Sequence, residues 1–345
     1  MDLVEARRLW DPQPGWLNTA SYGLPPRPAW EALRATLEDW RVGRTSWEGW
    51  DEYVARSRAA FARLTGVPVS DVAIGGTVSG LLAPIAAALP VGATVLVAEE
   101  EFTSNLFPWL AQAERGVEVR TVPLAGLLDA VDASVDLVAV SLVQSADGRV
   151  APYRELAAAA SAADALLVVD ATQACGWLPF DGTLADVVVV HAYKWLMAPR
   201  GAAFGYLGPR VRDRTIASAA GWYAGADVHE SYYGLPLRLA DGARRFDTSP
   251  AWFSFVGAAP AMELLLDVGL PAIRAYNVGL ANRFLAGLGR PAGDSAIVAV
   301  DVPDAERRLR SAGVRAAVRN GRLRASFHLY STDADVDMTL AALTG

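Results

Sequence analysis

Two short and almost unbroken aliphatic runs, LLVVD and DVVVV, lie within residues 166–201. Each run predicts a buried β-strand, because the strands of a parallel sheet covered on both faces lose the alternation of apolar and polar positions. Each strand is followed by a polar group that can do chemistry, Asp170 after the first and Lys194 after the second. Open α/β sheets form ligand sites beyond the carboxyl ends of their strands, so we expect the functional site at this edge.

The rest of the first two thirds of the chain alternates between strand and helix patterns. Aliphatic runs predict further strands at TVLVA, within Val135–Pro152 and at AAFGYLG, and helical patterns cover Ala29–Val42, Trp50–Thr65 and Tyr153–Ala165. The last of these helices provides the crossover that two adjacent parallel strands require. The pattern predicts an α/β fold with a mostly parallel sheet sandwiched by helices.

The C-terminal part of the chain changes to an α+β pattern. A helix is predicted at Pro271–Gly287, and short strands are predicted at AIVAVDV and RLRASFHLY. We therefore predict a large domain at residues 16–265 and a smaller domain at residues 266–345 that also includes residues 1–15. The boundary is expected to run through a long helix near residues 255–285.

Composition narrows the class of protein. The chain has 345 residues, of which 52% are hydrophobic, enough for two domains with substantial cores. Its net charge of −7 argues against nucleic acid or an anionic membrane as a partner. The start lacks the apolar segment of a secretory signal, and the single cysteine, Cys175, cannot form an internal disulfide, so a cytoplasmic location is expected. The three histidines are far apart, so no metal site is expected.

An uncharged stretch, Val72–Ala98, is punctuated by glycine and proline and is interpreted as buried core, not as a membrane span. It includes the turn GGTVSG, in which Thr77 and Val78 open a helix. The free N–H groups of a helix start can bind an anion, although an ordinary helix cap explains the same residues. Neither a P-loop nor a GxGxxG fingerprint is present.

The segments DATQ (Asp170–Gln173) and YKWLMAPRG (Tyr193–Gly201) resemble, in order and spacing, motifs of the class V aminotransferase family. This group of fold-type I pyridoxal phosphate (PLP) enzymes includes cysteine desulfurases, isopenicillin N epimerase-like proteins and the C–S lyase of ergothioneine biosynthesis. PLP needs a carboxylate to keep its ring nitrogen protonated and a lysine to bind its aldehyde. The resemblance implies that Asp170 and Lys194 have these roles and that Lys194 then removes the α-proton of an amino acid.

The resemblance also implies the contacts to the cofactor ring. Gln173 would donate a hydrogen bond to the phenolic oxygen, and Ser145 stands where relatives often place an asparagine near that oxygen. Phe102 lies where relatives carry an aromatic or histidine that stacks on the ring. A core phenylalanine is the alternative, and a phenylalanine cannot move a proton as the histidine of cysteine desulfurases can.

The phosphate contacts implied by the resemblance are partly substituted. The predicted phosphate-binding residues are Thr77, Val78, His191, Tyr193 and Ser249. His191 and Tyr193 replace a serine and a histidine of the relatives. Ser249, in Thr248–Pro250, replaces part of a Gly-Thr-Pro segment that reaches the cofactor of the partner subunit, so its role implies a homodimer. A serine that caps the following helix is the alternative.

Two further residues are implied to bind the substrate. Arg324, in RLRASFHLY, matches an arginine that binds the substrate carboxylate in the family, and a guanidinium fork suits that group. The turn-rich segment WLNTASYGLPPRP resembles the entry segment that lies over the substrate, which makes Asn18–Ser21 candidates, Asn18 foremost. Alone, the same segment would be read as an N-terminal arm.

The reaction is predicted less closely than the cofactor. Cysteine desulfurases need a nucleophilic cysteine on a loop shortly before the substrate arginine, whereas residues 318–321 run directly into Arg322 without a thiol. We therefore expect a C–S β-lyase or an aminotransferase, with an amino-acid epimerase or racemase as the alternative. A PLP-binding protein without turnover, or an NAD(P)-dependent α/β enzyme, also remains open at this stage; the missing glycine fingerprint weighs against the nucleotide.

Overall fold

A computed structural model describes residues 1–344 of the chain. Gly345, the last residue of the predicted small domain, lies outside the described residues. The α-helices are α1 Leu3–Arg7, α2 Arg27–Arg41, α3 Trp47–Thr65, α4 Val78–Ala87, α5 Thr103–Leu110, α6 Tyr153–Ala162, α7 Pro209–Arg212, α8 Trp252–Val268, α9 Leu270–Gly287, α10 Ala305–Ser311 and α11 Asp333–Thr344.

Seven strands form the main sheet. They are β1 Val72–Gly75, β2 Thr94–Ala98, β3 Glu118–Val122, β4 Leu137–Ser141, β5 Leu166–Asp170, β6 Val187–His191 and β7 Ala203–Leu207. Their order is β1-β7-β6-β5-β4-β2-β3, and β7 runs antiparallel to both of its neighbours. The pairs from β6 to β3 are parallel, as the uninterrupted aliphatic runs predict.

Hydrophobic packing on both faces of the sheet explains why its central strands lack polar positions. One core cluster contains Phe61 of α3 and Phe255 of α8, and the other contains Leu82 of α4 and Trp109 of α5. Every residue of β4 and β6 is buried. Polar side chains are therefore confined to the strand ends, where the sheet opens into a cavity.

A three-stranded antiparallel sheet lies in the C-terminal part. Its strands are β8 Ile297–Val300, β9 Ala317–Arg319 and β10 Arg322–Ser326, in the order β8-β10-β9. A third core cluster joins this sheet to Phe284 of α9 and Val336 of α11. The division into residues 16–265 and 266–345 stays a prediction.

One predicted element is wrong. The long helix expected near residues 255–285 is two helices, α8 and α9, bent by 88° at the break between them. The break is Gly269, whose φ of +87° disfavours other residues and ends the first helix. Among residues 1–344 no single helix is long and apolar enough to span a membrane, and α8 with α9 meets that test only as this bent pair.

Candidate functional site

Asp170 ends the central strand β5, between Ser141 of β4 and Val189 of β6. Its side chain is only 5% exposed, and one carboxylate oxygen accepts a hydrogen bond from the Thr172 amide at 2.8 Å. Burial raises the pKa of Asp170, while the hydrogen bonds from Thr172 and the charge of Lys194 oppose that rise. The carboxylate at the end of β5 is therefore buried, and the protein offers few hydrogen bonds or charges that stabilise its ionised form.

Lys194 lies in the turn after β6 and is 6% exposed. Burial lowers its pKa to about 8, because the protein interior disfavours the ammonium form. The Asp170 charge acts in the opposite direction, and the positive charges of Arg324, Arg319 and Arg200 lower the pKa further. More of this amine is therefore neutral, and hence nucleophilic, near neutral pH than of an ordinary lysine.

Asp170 and Lys194 open into one cavity of about 350 Å³ at the carboxyl ends of β4, β5 and β6. Its lining residues are Thr77, Val78, Ser79, Phe102, Thr103, Ser104, Ser141, Ser145, Asp170, Thr172, Gln173, His191, Tyr193, Lys194 and Arg200. The two charged groups form no direct ion pair within the described chain, although each influences the pKa of the other. The volume is in the range of small-molecule sites.

A larger cleft of about 570 Å³ lies beside α10 in the C-terminal part. Two of its arginines, Arg307 and Arg310, are already paired with Asp304 at 2.8 Å and Glu306 at 2.5 Å. It brings together no buried acid and lysine of the kind found at the strand ends. The cavity around Lys194 is therefore the candidate active site.

Gln173 is held on both sides of its amide. Its Nε2 donates to the Ala20 carbonyl at 2.9 Å and to the Ser145 hydroxyl at 3.2 Å, and its Oε1 accepts from Trp195 Nε1 at 2.8 Å. Trp195 follows the lysine directly, so one motif residue orients another. The longer N–H contact, to Ser145, is the one that can be exchanged for the predicted phenolic oxygen.

Arg324 lies behind Ser145 and is not itself part of the cavity lining. Its guanidinium donates to the Ser145 carbonyl at 2.5 Å, to the Ser145 hydroxyl at 3.3 Å and to the Ser21 hydroxyl at 2.7 Å. Burial lowers its pKa to about 10, and the charge of Arg319 adds to the effect, so it stays cationic at neutral pH. Its Nε is buried without a partner. The group is thus a cation only partly satisfied by neutral oxygens.

The amino end of α4 borders the same cavity. Thr77 caps this helix through its hydroxyl, which accepts from the Gly80 amide at 3.0 Å. The amides of Val78 and Ser79, the first two helical residues, have no acceptor inside the helix. Both residues line the cavity, as Thr77 does. The predicted anion site is therefore at the cavity wall.

The state of His191 bears on whether this wall of the cavity can bind a phosphate group. Burial lowers its pKa to about 4, so the imidazole is neutral, and its Nε2 is buried without a hydrogen-bond partner. Its backbone amide donates to the Thr172 hydroxyl at 3.0 Å, which fixes the residue at the end of β6. His191 lines the cavity, and its unpartnered ring nitrogen leaves a hydrogen-bonding position that a polar ligand such as a phosphate group can fill. The site fits PLP.

Phe102 precedes α5 at the mouth of the cavity. Its ring is 47% exposed, and its centroid is 5.4 Å from Lys194 Nζ. This position agrees with a stacking role and not with the alternative of a core phenylalanine. The residue before it, Glu101, is buried and accepts hydrogen bonds from the amide of Ser141 at 2.6 Å and from Gln144 at 2.8 Å. This carboxylate ties the start of α5 to the loop after β4.

Two predicted residues are not brought to the cavity of the single chain. Ser249 is exposed and lies outside the lining, and its role in a partner subunit stays a prediction. Asn18 pairs with Ser326 beside β10, and its side-chain oxygen is buried without a partner. Within the same segment it is Ser21 that contacts Arg324. The arm does pass over the lysine turn, because a Cβ at Gly23 would collide with the Lys194 carbonyl.

Several lining residues were not predicted. They are Ser79, Thr103, Ser104, Ser141, Thr172 and Arg200. Thr172 and Arg200 lie inside the matched motifs, so their positions were a usable signal. The serines and threonines carry no such signal, since these residues are common at strand ends and helix starts for local reasons.

Comparisons with known proteins identify the family of this chain. The profile of the aminotransferase class-V family matches residues 51–311. The chain is 28% identical over 270 residues to an uncharacterized aminotransferase, YcbU, of Bacillus subtilis, covering 75% of this chain and 71% of that protein. It is 27% identical over 297 residues to a cysteine desulfurase of Yersinia pestis, covering 74% and 71% of the two chains.

Solved structures share the fold over nearly the whole chain. A cystine C–S lyase, C-DES, in complex with cysteine persulfide matches with a TM-score of 0.85 and 20% identity over 96% of this chain and 97% of that one. The cysteine desulfurase CsdA of Escherichia coli matches with a TM-score of 0.84 and 19% identity over 100% and 98%. The architecture is that of fold-type I PLP enzymes. With its family profile matched over residues 51–311, this chain belongs to the aminotransferase class-V family and is a PLP-dependent enzyme.

Proposed function

We propose that this enzyme removes the α-proton of an amino acid with Lys194 alone and releases its product by β-elimination, as a C–S lyase, or by amino transfer. The observation that carries the proposal is the cavity itself, in which Lys194 is the single amine with a pKa near 8. A base of this pKa both accepts and returns a proton near neutral pH.

Each charged residue has a separate task in this proposal. PLP, when bound, withdraws electrons from the α-carbon and so makes its proton acidic. Asp170 keeps the ring nitrogen protonated, because a buried carboxylate with one hydrogen bond gains most from a nearby N–H⁺. Lys194 would hold the cofactor covalently at rest, and its amine, once free, would take the α-proton of the substrate.

Arg324 is proposed to bind the substrate carboxylate. A carboxylate would replace the neutral Ser145 and Ser21 oxygens as acceptors of the guanidinium N–H groups, and the charged pair is the stronger one. Because Arg324 is 1% exposed and lies behind Ser145, binding requires a small shift of that serine or of Ser21. The carboxylate thereby fixes the α-carbon close to Lys194.

The residue proposed to stack on the cofactor ring argues against two-base chemistry. Phe102 lies at the cavity mouth over Lys194, and a phenyl ring cannot donate or accept a proton. Epimerisation by two bases needs a second titratable group on the far face. Proton removal and return on one face suits elimination and amino transfer, so we propose these in preference to epimerisation.

Cysteine desulfuration is disfavoured by the position of the thiol. Cys175 is the one cysteine of the sequence, it is buried in the main core, and burial raises its pKa to about 12. A thiol in this state is a poor nucleophile. It also lies outside the cavity lining. If the substrate carries sulfur, we therefore propose that the sulfur leaves by elimination and is not transferred to a cysteine of the protein.

The test begins with the holoenzyme and two substrate sets. Incubation with S-substituted cysteines should yield a thiol, pyruvate and ammonia if elimination is the reaction. Incubation with ordinary amino acids should convert the bound cofactor to its amine form if amino transfer is the reaction. Lys194→Ala should be inactive with both sets. Racemised substrate without either product, or a Cys175→Ala variant that loses turnover, would contradict the proposal.

We also propose that the enzyme is a homodimer in which Ser249 serves the partner's cofactor phosphate. Large apolar side chains are exposed on one loop, Tyr233 at 89% and Leu235 at 94%, and Trp40 of α2 is exposed as well. Exposed aromatic and aliphatic groups of this size are typical of subunit contacts. In a mixture of Lys194→Ala and Ser249→Ala chains, a hybrid dimer would hold one intact site. Activity that fails to rise on mixing would contradict a shared site.

A further inference from the structure

We propose that Arg200 is the main counter-charge of the cofactor phosphate in this enzyme. Arg200 lines the cavity together with Thr77, Val78 and His191. The carbonyl of the next residue, Gly201, lies 3.9 Å from the Cβ position of Gly76, in the turn that leads into α4. Arg200 is therefore adjacent to the helix start that presents free amides to the cavity.

The backbone of Arg200 is fixed by α8. The Ser254 hydroxyl donates to the Arg200 carbonyl at 2.8 Å. Gly201 has a φ of +119°, and a Cβ there would lie 2.8 Å from the Ser254 oxygen, so glycine is required. On the other side, the Pro199 ring packs so closely on Gly257 that a Cβ at Gly257 would lie 2.5 Å from its Cδ. This anchoring holds the arginine at the cavity wall.

The guanidinium is oriented by Tyr193. The central carbon of the Arg200 guanidinium lies 4.9 Å from the centroid of the Tyr193 ring, a cation–π contact. Tyr193 stands where relatives carry a histidine, and a neutral phenol supplies no positive charge. In this chain the tyrosine instead provides the surface on which a fully charged arginine rests.

The charge balance of the cavity requires this arginine. Lys194 and Arg200 are the cationic side chains of the lining, and Lys194 is committed to the cofactor aldehyde. His191 is neutral because burial lowers its pKa to about 4. A helix start supplies about half a unit charge, less than a phosphate with nearly two negative charges needs. Arg200 makes no ion pair with any carboxylate of residues 1–344, so its charge is free for this ligand.

The test separates the phosphate from the rest of the cofactor. Apo protein would be titrated with PLP and with pyridoxal, which lacks the phosphate, for wild type, Arg200→Gln and Arg63→Gln. Arg63 is exposed on α3, so its substitution changes the net charge equally without touching the cavity. We expect Arg200→Gln to weaken PLP binding about 10- to 100-fold, the usual worth of a charged hydrogen-bonded contact, and to leave pyridoxal binding unchanged.

A second variant keeps the test decisive if Arg200→Gln does not fold. Arg200→Lys retains the charge but not the planar fork, so it should lose less PLP affinity and again none for pyridoxal. Equal losses for PLP and pyridoxal, or no loss for PLP, would overturn the inference. These titrations contain no amino acid, so failure of the proposed reaction would leave their outcome unaffected.

Discussion

Two buried aspartates, Asp170 and Asp247, differ in what surrounds them. Asp247 is fully buried, and its two oxygens accept from Arg58 at 3.2 and 2.6 Å, while one also accepts from the Ile74 amide at 2.8 Å. Asp170 is almost as buried, yet it has one hydrogen bond, from Thr172, and no ion pair among the described residues. One carboxylate is satisfied by the protein, and the other is left for a ligand.

The two aspartates show how a buried charge with a structural role differs from a buried charge in the functional site of this protein. Burial is the largest single influence on Arg58 and opposes its ionisation, but the charge and the hydrogen bonds of Asp247 together outweigh it and raise the pKa of the arginine. That pair joins α3 to β1 and to the segment before Ser249. The charges around the cavity, Lys194 and Arg324, instead have pKa values lowered by burial because no carboxylate is in contact with them. Incomplete pairing is therefore the mark of the site.

The largest effect is expected for Asp170→Asn. Turnover of any amino acid should fall about 10³-fold or more, because an amide cannot keep the ring nitrogen protonated. The free energy of unfolding of the apo protein should change by no more than about 1 kcal/mol, since no ion pair is lost. Steady-state rates and urea denaturation measure the two quantities. A variant that is strongly destabilised but still active would show that Asp170 has a structural role like that of Asp247.

Arg58→Met should have the opposite signature. The free energy of unfolding is expected to fall by about 3–5 kcal/mol, because Asp247 would be left buried and unpaired. Adding Asp247→Asn should recover part of this loss, since the amide oxygen still accepts from the Ile74 amide. Urea denaturation of the single and double variants checks the prediction. If both variants were equally unstable, loss of packing and not the unpaired charge would be the cause.

Arg324→Gln should affect the substrate and spare the cofactor. The KM for an amino acid is expected to rise about 100-fold, in line with loss of a charged carboxylate contact. The Kd for PLP should stay within about twofold, because the residues that would hold the phosphate lie at the α4 end of the cavity. Spectral titration and steady-state kinetics give both values. Equal losses in the two would count against a carboxylate-binding role.

The lowered pKa of Lys194 predicts the pH dependence of cofactor attachment to apo protein. Only the neutral amine reacts with the aldehyde, and the amine is protonated below its pKa of about 8. The rate should therefore rise about tenfold per pH unit below pH 8 and level off above it. Borohydride trapping followed by mass spectrometry of the Lys194 peptide measures the rate. A rate still rising steeply at pH 10 would show an ordinary lysine.

The smallest effect concerns Arg319, near the tip of the β9–β10 hairpin. Its positive charge lowers the pKa of both Lys194 and Arg324. Arg319→Gln should thus move the midpoint of that pH profile upward by a fraction of a pH unit. Arg290→Gln, an exposed substitution of equal charge outside the cavity lining, is the matched control. A downward shift, or an equal shift in the control, would contradict the assignment.

The sheet and its strand-end residues could be predicted because both depend on local sequence. The unbroken aliphatic runs LLVVD and DVVVV predict buried strands, and the sequence itself places Asp170 and Lys194 at or just beyond the ends of these strands. The antiparallel place of β7 between β1 and β6 could not be read from AAFGYLG, because pairing partners are not encoded in the strand itself. The bend at Gly269 was overlooked, although a lone glycine between helical patterns is a signal.

The supporting contacts of the site could not be predicted, because they join distant parts of the chain. Arg324 is 303 residues from Ser21 and 179 from Ser145, and Gln173 is 153 residues from Ala20. No local pattern links such pairs. Arg200 is different, since it stood inside the matched motif. Its proposed role in phosphate binding depends on the contact of its guanidinium with the Tyr193 ring, and this contact is seen only in the structure.

The contact of Gly23 with the Lys194 carbonyl gives the N-terminal arm a role as a reporter. The Gly23 amide donates to the Tyr193 carbonyl at 2.9 Å, and Leu17 of the same arm is hydrogen-bonded to Arg315, just before β9, and to Ser326 of β10. The N-terminal arm is thus hydrogen-bonded both to the lysine turn and to the C-terminal sheet. A rearrangement of the lysine turn on cofactor attachment should therefore also move this arm. Amide hydrogen exchange in this arm should slow when the site is filled.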